Sequence, residues 1–339
     1  MKKTNLFATL ALAAAPAFLH AQTTSYSDIV GYQTTSVPVG LSTAGFPLLN
    51  SDVVKTSATA LSGNNLSLSG ESNVGAKLTS GEPYYIEVYS GALKGDRFDV
   101  NTAATISAAN GSLVLDSSSP NNTYAVGSIA SQLDGASIAL RKHITIEQIQ
   151  SMSSSPLVGN TTAANADQIQ FYDNSTGGYT SYFLRGDGVT WRKVGTTTTA
   201  NKTPIPPGVG VFISKKTGSV NLVATGNVRQ NDFSNPYKTG LQLHAPAYPL
   251  EISPAGVGGT SANGWTGNTT AASADQIQVY NTSTGGYDAY FLRGDGTTWR
   301  KVGTTTTVTS SNLATSSQAY FVSRKASDSS NILVNPVSN

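Results

Sequence analysis

The clearest pattern in this sequence is an alternation of hydrophobic and polar residues that is typical of short β-strands. In the stretch QIQFY, Ile169 and Phe171 point to one face of an extended chain, and Gln168, Gln170 and Tyr172 point to the other. A strand with one hydrophobic face packs that face against a core, so the stretch predicts a half-buried strand in an antiparallel sheet.

Turn residues after this strand predict a three-stranded meander. The run NSTGG at 174–178 contains glycines, which tolerate the positive φ of a tight turn. A return strand is predicted at Tyr179–Arg185, the turn Gly-Asp-Gly follows at 186–188, and a third strand is predicted at Val189–Val194.

This meander occurs twice in the chain. With an offset of 108 residues, positions 159–199 align with 267–307, and 34 of the 41 pairs are identical. Two further strands follow each copy, and about five strands are enough for a small β-domain. These strands are predicted at Val211–Lys216, Val220–Gly226, Tyr320–Lys325 and Asn331–Asn335. The residues predicted to form the repeated turn are Gly186, Asp187, Gly188, Gly294, Asp295 and Gly296.

The N-terminal third is a more distant relative of the same plan. PYYIEV at Pro83–Val88 has the pattern of the repeat strands, and Arg97–Val100 supplies a partner strand. GLSTAGFPL at Gly40–Leu48 resembles GLQLHAPAYPL at Gly240–Leu250. One helical turn is predicted, at Ile146–Met152.

These elements predict an all-β fold of three consecutive sandwich-like or barrel-like units, each with about five or more strands. The last two units are the close internal repeats. The predicted divisions are 1–21 for a signal peptide, 22–120 for the divergent N-terminal unit, and 121–226 and 227–339 for the repeat units.

The first 21 residues have the features of a cleaved secretory signal peptide, with Lys2 and Lys3, an apolar run at 6–15 and a junction before Gln22. They predict a protein of the periplasm, the cell surface or the medium. The remaining chain has 19 basic and 19 acidic residues, a balance that argues against nucleic acid or an anionic membrane surface as partner. Membrane insertion is not expected, because no later apolar run approaches the ~20 residues of a spanning helix.

Cysteine is absent and only 12% of the residues are charged, as in many extracellular β-proteins. The chain resembles a family of exported β-repeat proteins found mainly in verrucomicrobial bacteria and their relatives. The resemblance implies export and the repeat architecture, and it implies no activity, substrate or catalytic residue. It rests on DIVGY (28–32), PYYIEVYSG (83–91), LRKHITI (140–146), ADQIQFYDNSTGGY (166–179) and ADQIQVYNTSTGGY (274–287).

Candidate catalytic residues are few. His143 and His244 are the two histidines after the signal peptide, and no nucleophile elbow, phosphate loop or zinc motif accompanies them. Asp167, Asp173 and Asp187 could share a calcium ion with backbone carbonyls, but turn-capping is the favoured interpretation because no contiguous calcium loop is present. The sequence therefore predicts neither an enzyme nor a cofactor.

The aromatic residues of the two copies allow two interpretations. Rings on a β-face can stack on a sugar, or they can fill the core of each unit, and the core is favoured for tryptophan. Alternation places Tyr182 and Phe183 on opposite faces, so one set of side chains lies inside. The candidate ligand-contact residues are Tyr179, Tyr182, Trp191, Tyr287, Tyr290 and Trp299.

The repeated Arg-Gly-Asp tripeptide is interpreted as turn geometry in preference to a receptor-binding motif. On this basis we expect an exported, non-enzymatic structural or surface protein of the cell envelope or matrix that associates with itself. The alternative is a carbohydrate-binding or adhesive surface protein whose partner is a surface polysaccharide. An enzyme acting on polysaccharide comes third.

Overall fold

A computed structural model describes residues 28–326 and 329–336, and the predicted signal peptide lies outside the described residues. The fold is all-β, as the alternation predicts. Its strands, in chain order, are β1 (Val30–Val37), β2 (Gly40–Ala44), β3 (Asp52–Ser62), β4 (Asn65–Leu68), β5 (Tyr84–Val88), β6 (Arg97–Val100), β7 (Leu113–Val114), β8 (Ser137–Lys142), β9 (Ile144–Thr145), β10 (Gln168–Asp173), β11 (Gly178–Leu184), β12 (Trp191–Lys193), β13 (Pro204–Ile205), β14 (Val211–Lys215), β15 (Val220–Asn227), β16 (Phe233–Tyr237), β17 (Gly240–His244), β18 (Gln276–Asn281), β19 (Gly286–Leu292), β20 (Trp299–Lys301), β21 (Tyr320–Arg324) and β22 (Ser329–Leu333). The two α-helices of the described residues are α1 (Thr102–Ser107) and α2 (Ile146–Met152).

The first repeat is built on a five-stranded antiparallel sheet with the order β12-β11-β10-β14-β2. The predicted meander forms its first three strands, and Ile169 of β10 lies opposite Tyr182 of β11 and Ile213 of β14. The ribbon β1–β15 and helix α2 contribute to the core on one face of this sheet. Buried members of that core include Val37, Ile146, Ile149, Ile169, Leu184, Trp191, Ile213 and Leu222.

The second repeat has the same arrangement. Its sheet has the order β17-β21-β18-β19-β20, and the ribbon β16–β22 corresponds to β1–β15. Side chains of the segment 252–265 enter the core in place of helix α2. The buried residues include Tyr237, Ile252, Val257, Trp265, Ile277, Leu292, Trp299 and Val322.

A third, six-stranded sheet lies within residues 52–142. Its strands are antiparallel in the order β6-β5-β8-β3-β4-β7. We call it the inserted sheet, because its chain leaves the first repeat after β2 and returns to it at β9 and α2. Its own core contains Leu66, Val74, Ile86, Phe98, Leu113, Leu133 and Leu140.

The strand pairings divide the chain differently from the predicted units 22–120 and 121–226. Strands β1 and β2 precede the inserted sheet, yet they pair with β15 and β14 and so complete the first repeat. Strand β8 falls within 121–226, yet it pairs with β3 and β5 of the inserted sheet. The N-terminal unit is therefore an insertion and not the first of three consecutive units. Alternation identifies a strand without identifying its partner, which is why the sequence placed these boundaries incorrectly.

The five-stranded sheets of the two repeats pack face to face through aromatic rings. The ring of Tyr172 lies 5.1 Å from that of Phe321, and the equivalent ring of Tyr280 lies 5.8 Å from that of Phe212. Phe212 and Phe321 themselves are 5.9 Å apart. We call this layer the aromatic seam, and its rings are Tyr172, Tyr179, Phe212, Tyr280, Tyr287 and Phe321.

Backbone hydrogen bonds across the seam are also reciprocal. The NH of Gly45 donates to the carbonyl of Ser317 at 2.8 Å, and the NH of Ala245 donates to the carbonyl of Gly208 at 2.8 Å. Gly45 and Ala245 hold the same place in their repeats, as do Gly208 and Ser317. Contacts that recur with the partners exchanged are the mark of a two-fold relation. The repeats are thus arranged like the two halves of a symmetric dimer.

A buried cationic and aromatic cluster joins the inserted sheet to the second repeat. The guanidinium groups of Arg97 and Arg229 lie 4.2 Å and 4.4 Å from the ring centre of Phe233. Arg97 also donates to the carbonyl of Ser234 at 2.8 Å, and Arg229 pairs with Glu87 of β5. These contacts fix the inserted sheet against the ribbon of the second repeat.

Candidate functional site

The two predicted tryptophans lie in hydrophobic cores and not at a surface. Trp191 is 1% exposed and Trp299 is 0% exposed. The Nε1 of Trp299 donates to the carbonyl of Gly259 at 2.5 Å, and its ring contacts Trp265 at 5.5 Å. The structure therefore excludes both side chains from a sugar-stacking surface, because their faces are covered by protein.

The four predicted tyrosines are divided between three environments. Tyr179 and Tyr287 belong to the aromatic seam, where each keeps about half of its surface exposed. Tyr290 is buried in the core of the second repeat. Tyr182, at the same position of the first repeat, is only partly buried and lines the cleft described below. The two copies are thus not equivalent at this position.

The Gly-Asp-Gly residues form a turn in each copy. The Oδ1 of Asp187 accepts hydrogen bonds from the backbone NH groups of Val189 at 3.0 Å and Thr190 at 2.8 Å. Gly188 adopts a positive φ of 72°, whereas Gly186 does not. Asp295 and Gly296 repeat these features in the second copy, and Gly294 repeats those of Gly186.

A cleft of about 690 Å³ lies where the three parts of the molecule meet. We call it the central cleft. The first repeat lines it with side chains of β10, β11 and β12 and with the turn 203–209; the inserted sheet supplies Arg97 and the loop 120–123; the second repeat supplies residues within 235–244. Its volume is in the range of ligand-binding pockets.

Partly buried aromatic side chains form one part of the central cleft. Phe171 and Tyr182 meet edge to face, with their ring centres 5.7 Å apart, and both pack on the core of the first repeat. Tyr172 also lines the cleft, and its ring is held by the seam. Rings fixed in this way keep part of their surface available without losing side-chain freedom when a ligand binds.

Polar side chains form the rest of the lining. Lys193 and Lys238 are exposed and have no carboxylate partner among the described residues. The Nδ2 of Asn174 and the Nε2 of His244 are buried without a hydrogen-bond partner. Burial, together with the charges of Arg97 and Arg324, lowers the pKa of His244 to about 3, so this imidazole is neutral at physiological pH.

The differences between the two copies are concentrated at the central cleft. Eight of the 41 aligned positions of the first copy line the cleft, and four of the eight differ from the second copy. Only three of the other 33 positions differ. At these four positions the first copy has Phe171, Asp173, Asn174 and Thr180, and the second copy has Val279, Asn281, Thr282 and Asp288. The cleft-facing surface is therefore the part of the repeat in which the two copies diverge most.

The other candidate chemical groups serve the fold. His143 pairs with Asp99 at 2.8 Å. Burial raises the pKa of the Asp99 carboxyl, but the hydrogen bonds that it accepts from His143, Ser119 and Asn121 have the larger effect. The pKa of Asp99 is therefore below its ordinary value. Asp167 does not cap a turn; it forms a buried ion pair with Lys215 at 2.7 Å. The described residues contain no group of three or more His, Cys, Asp or Glu side chains able to hold a metal ion.

Comparisons with protein families, curated proteins and solved structures found no match to this chain. Within residues 28–326 and 329–336, none of the helices has the length and apolarity required to span a bilayer.

The sequence singled out three residues of the central cleft, Tyr182 as a ligand-contact candidate and Asp173 and His244 as candidate chemical groups, and missed Phe171, Lys193, Lys238 and Asn174 as site residues. A signal for two of them was present. Phe171 and Asn174 are among the few positions where the copies differ, whereas Lys193 is matched by Lys301 in the second copy and has no such signal. Lys238 comes from another repeat, and only the fold brings it to the cleft.

Proposed function

We propose that this protein is an exported, non-enzymatic glycan-binding protein of the cell envelope or cell surface, and that its ligand lies in the central cleft. The observation that carries the proposal is the edge-to-face pair of Phe171 and Tyr182 within a cleft that is also lined by amide, hydroxyl and amino groups. Sugars present apolar CH faces and polar rims, and this lining matches both.

The lining favours binding over hydrolysis. Glycoside hydrolases use two carboxyl groups held about 5–10 Å apart across the scissile bond. Among the lining residues of the central cleft, Asp173 is the single carboxylate, and it accepts hydrogen bonds from the NH and hydroxyl of Ser175 at 2.9 Å and 2.6 Å. A carboxylate engaged in its own turn supports a binding role for the cleft.

The proposal is tested by titrating residues 22–339 with soluble polysaccharides, by affinity gel electrophoresis and calorimetry. Phe171→Val places in the cleft the residue that the second copy has at this position, Val279. We expect it to weaken glycan binding by roughly fivefold or more, because the stacking ring is lost.

Val189→Thr is the matched control. It is also a change to the residue of the second copy, but Val189 is 65% exposed and lies outside the cleft. It should leave binding unchanged. If no polysaccharide binds, or if both variants bind like the unchanged protein, the cleft is not a glycan site.

Self-association is a second candidate function, and exposed apolar side chains on the two outer ribbons favour it. Val30 and Tyr32 of β1 are each 70% exposed, and Val334 after β22 is also 70% exposed. Val334 and Leu250 border an apolar groove of about 380 Å³. Contiguous apolar surface of this kind is common at protein interfaces.

Analytical ultracentrifugation over a range of concentrations tests this candidate. We expect multimers that dissociate in the variant Tyr32→Ser, Val334→Ser. A monomer at every concentration, before and after these changes, would exclude assembly through the ribbons.

A further inference from the structure

The same lysine has different surroundings in the two copies. In the second copy, Lys301 forms an ion pair with Asp288 at 2.8 Å. In the first copy the equivalent lysine is Lys193, and the position of Asp288 is occupied by Thr180. Both Lys193 and Thr180 line the central cleft. The first copy thus lacks the neutralising carboxylate where its lysine faces the cleft.

Two further cationic side chains line the cleft. Lys238 enters from the second repeat and has no carboxylate partner among the described residues. Arg97 lies beneath the cleft; burial lowers its pKa to about 10, which still leaves it protonated at neutral pH. Against these three cations the lining carries one carboxylate, that of Asp173. A concave region with an excess of positive charge attracts anions more strongly than an open surface does.

We propose that the central cleft binds an acidic glycan, whose carboxylate or sulfate groups contact the ammonium groups of Lys193 and Lys238. This inference rests on the proposed glycan-binding function and specifies the class of ligand. The neutral balance of the whole chain does not oppose it, because recognition depends on the local charge of the cleft and not on the sum over the molecule.

The test compares three soluble probes under matched conditions: polygalacturonate, which carries carboxylates; carrageenan, which carries sulfates; and neutral dextran. We expect at least one acidic probe to bind at least about tenfold more tightly than dextran at 50 mM NaCl, and this advantage to shrink at 500 mM NaCl as salt screens the charges. The preference between the two acidic probes identifies the anionic group.

Thr180→Asp is the decisive variant, because it gives Lys193 the partner that Lys301 already has. It should weaken acidic-glycan binding by roughly fivefold. Asp288 also accepts a hydrogen bond from Asn281, and the first copy has Asp173 at that position, so thermal unfolding of the variant checks that the fold is kept. Lys193→Gln should have a similar effect without adding a negative charge. Asp288→Thr is the matched control, and it should not change binding because Lys301 lies outside the cleft.

The outcomes separate the two proposals. Equal binding of neutral and acidic probes, with no effect of Thr180→Asp or Lys193→Gln, would overturn the acidic-ligand inference. The glycan-binding proposal would still stand in that case if Phe171→Val weakens binding. Absence of binding to all probes would overturn both. Loss of acidic binding in Asp288→Thr as well would place the effect outside the cleft and overturn the assignment to Lys193.

Discussion

At Gly188 the backbone φ is +72°, a conformation that residues with a Cβ rarely adopt. Gly186 has no such φ, and a Cβ there would lie 3.8 Å from its nearest neighbours. We therefore expect Gly188→Ala to lower the free energy of unfolding by about 1–2 kcal/mol. Gly186→Ala should change it by less than about 0.5 kcal/mol. Urea unfolding of both variants measures the difference.

The second copy offers a graded comparison for this turn. At Gly296 the φ is +74°, and a Cβ would also meet the Oγ of Ser261 at 2.6 Å. Gly296→Ala should therefore cost more than Gly188→Ala, where a Cβ meets nothing within 4 Å. Equal effects at positions 186, 188 and 296 would contradict the assignment of the positive-φ position.

The carboxyl group of Asp187 makes the same turn sensitive to acid. Hydrogen bonds from Thr190 and Val189 lower the pKa of Asp187 to about 2. Because the folded pKa is below that of the unfolded chain, the stabilisation is present above about pH 4 and is lost as the pH falls through about 2. Asp187→Asn should remove this pH dependence and lower stability near pH 7, because its amide oxygen accepts the same hydrogen bonds without the charge that strengthens them. An NMR titration that gives a pKa near 4 for Asp187 would contradict the expectation.

At the scale of the elements, the sequence predicts the strands well because each carries its own alternation. The meander β10–β12, the strands β14 and β15 and the helix α2 lie where the pattern placed them. The pairing of β2 with β14 could not be predicted in this way, because their partners Leu41 and Ser214 are 173 positions apart. The similarity of Gly40–Leu48 to Gly240–Leu250 indicated it, since both segments supply the outer strand of a repeat.

The aromatic seam predicts a coupling between two strands of different repeats. Phe212 of β14 and Phe321 of β21 are buried, and their ring centres are 5.9 Å apart. Each change to alanine should lower the free energy of unfolding by roughly 3–5 kcal/mol. The double variant should lose less than the sum by about 0.5 kcal/mol or more, because the second change removes a contact already lost. Equilibrium unfolding in urea provides the four free energies.

Leu184 and Leu292 are the control pair for this cycle. They hold the same position in the two repeats and are both fully buried, but they lie in separate cores. Their effects should add within about 0.5 kcal/mol. Coupling between the leucines as large as between the phenylalanines would mean that the non-additivity does not come from the contact at the seam.

At the scale of the whole molecule, the central cleft could be predicted only in part. Its residues come from three segments that meet through long-range pairing and through the cluster of Arg97, Arg229 and Phe233. Within one repeat, the differences between the copies could have indicated the surface that serves a separate role. The contributions of the other two parts depend on packing, which no local pattern records.

The insertion of one sheet into a repeat predicts an unusual order of local opening. Native-state hydrogen exchange should give β2 the same opening free energy as β14, and β3 the same as β8, although β2 and β3 are neighbours in sequence. The ladder amides of each pair respond together because they share a sheet. Joint exchange of β2 with β3, separate from β14, would contradict the strand pairing described above.

The reciprocal contacts of the aromatic seam have a consequence for how such a molecule can change over time. When two identical chains form a symmetric pair, every substitution appears in both halves, so a change that improves one surface also alters the other. Here the two halves are encoded in tandem and mutate independently. Thr180 and Asp288 illustrate this independence. In the second repeat Asp288 neutralises Lys301 at a surface outside the central cleft, whereas in the first repeat Thr180 offers no carboxylate to Lys193 within the cleft.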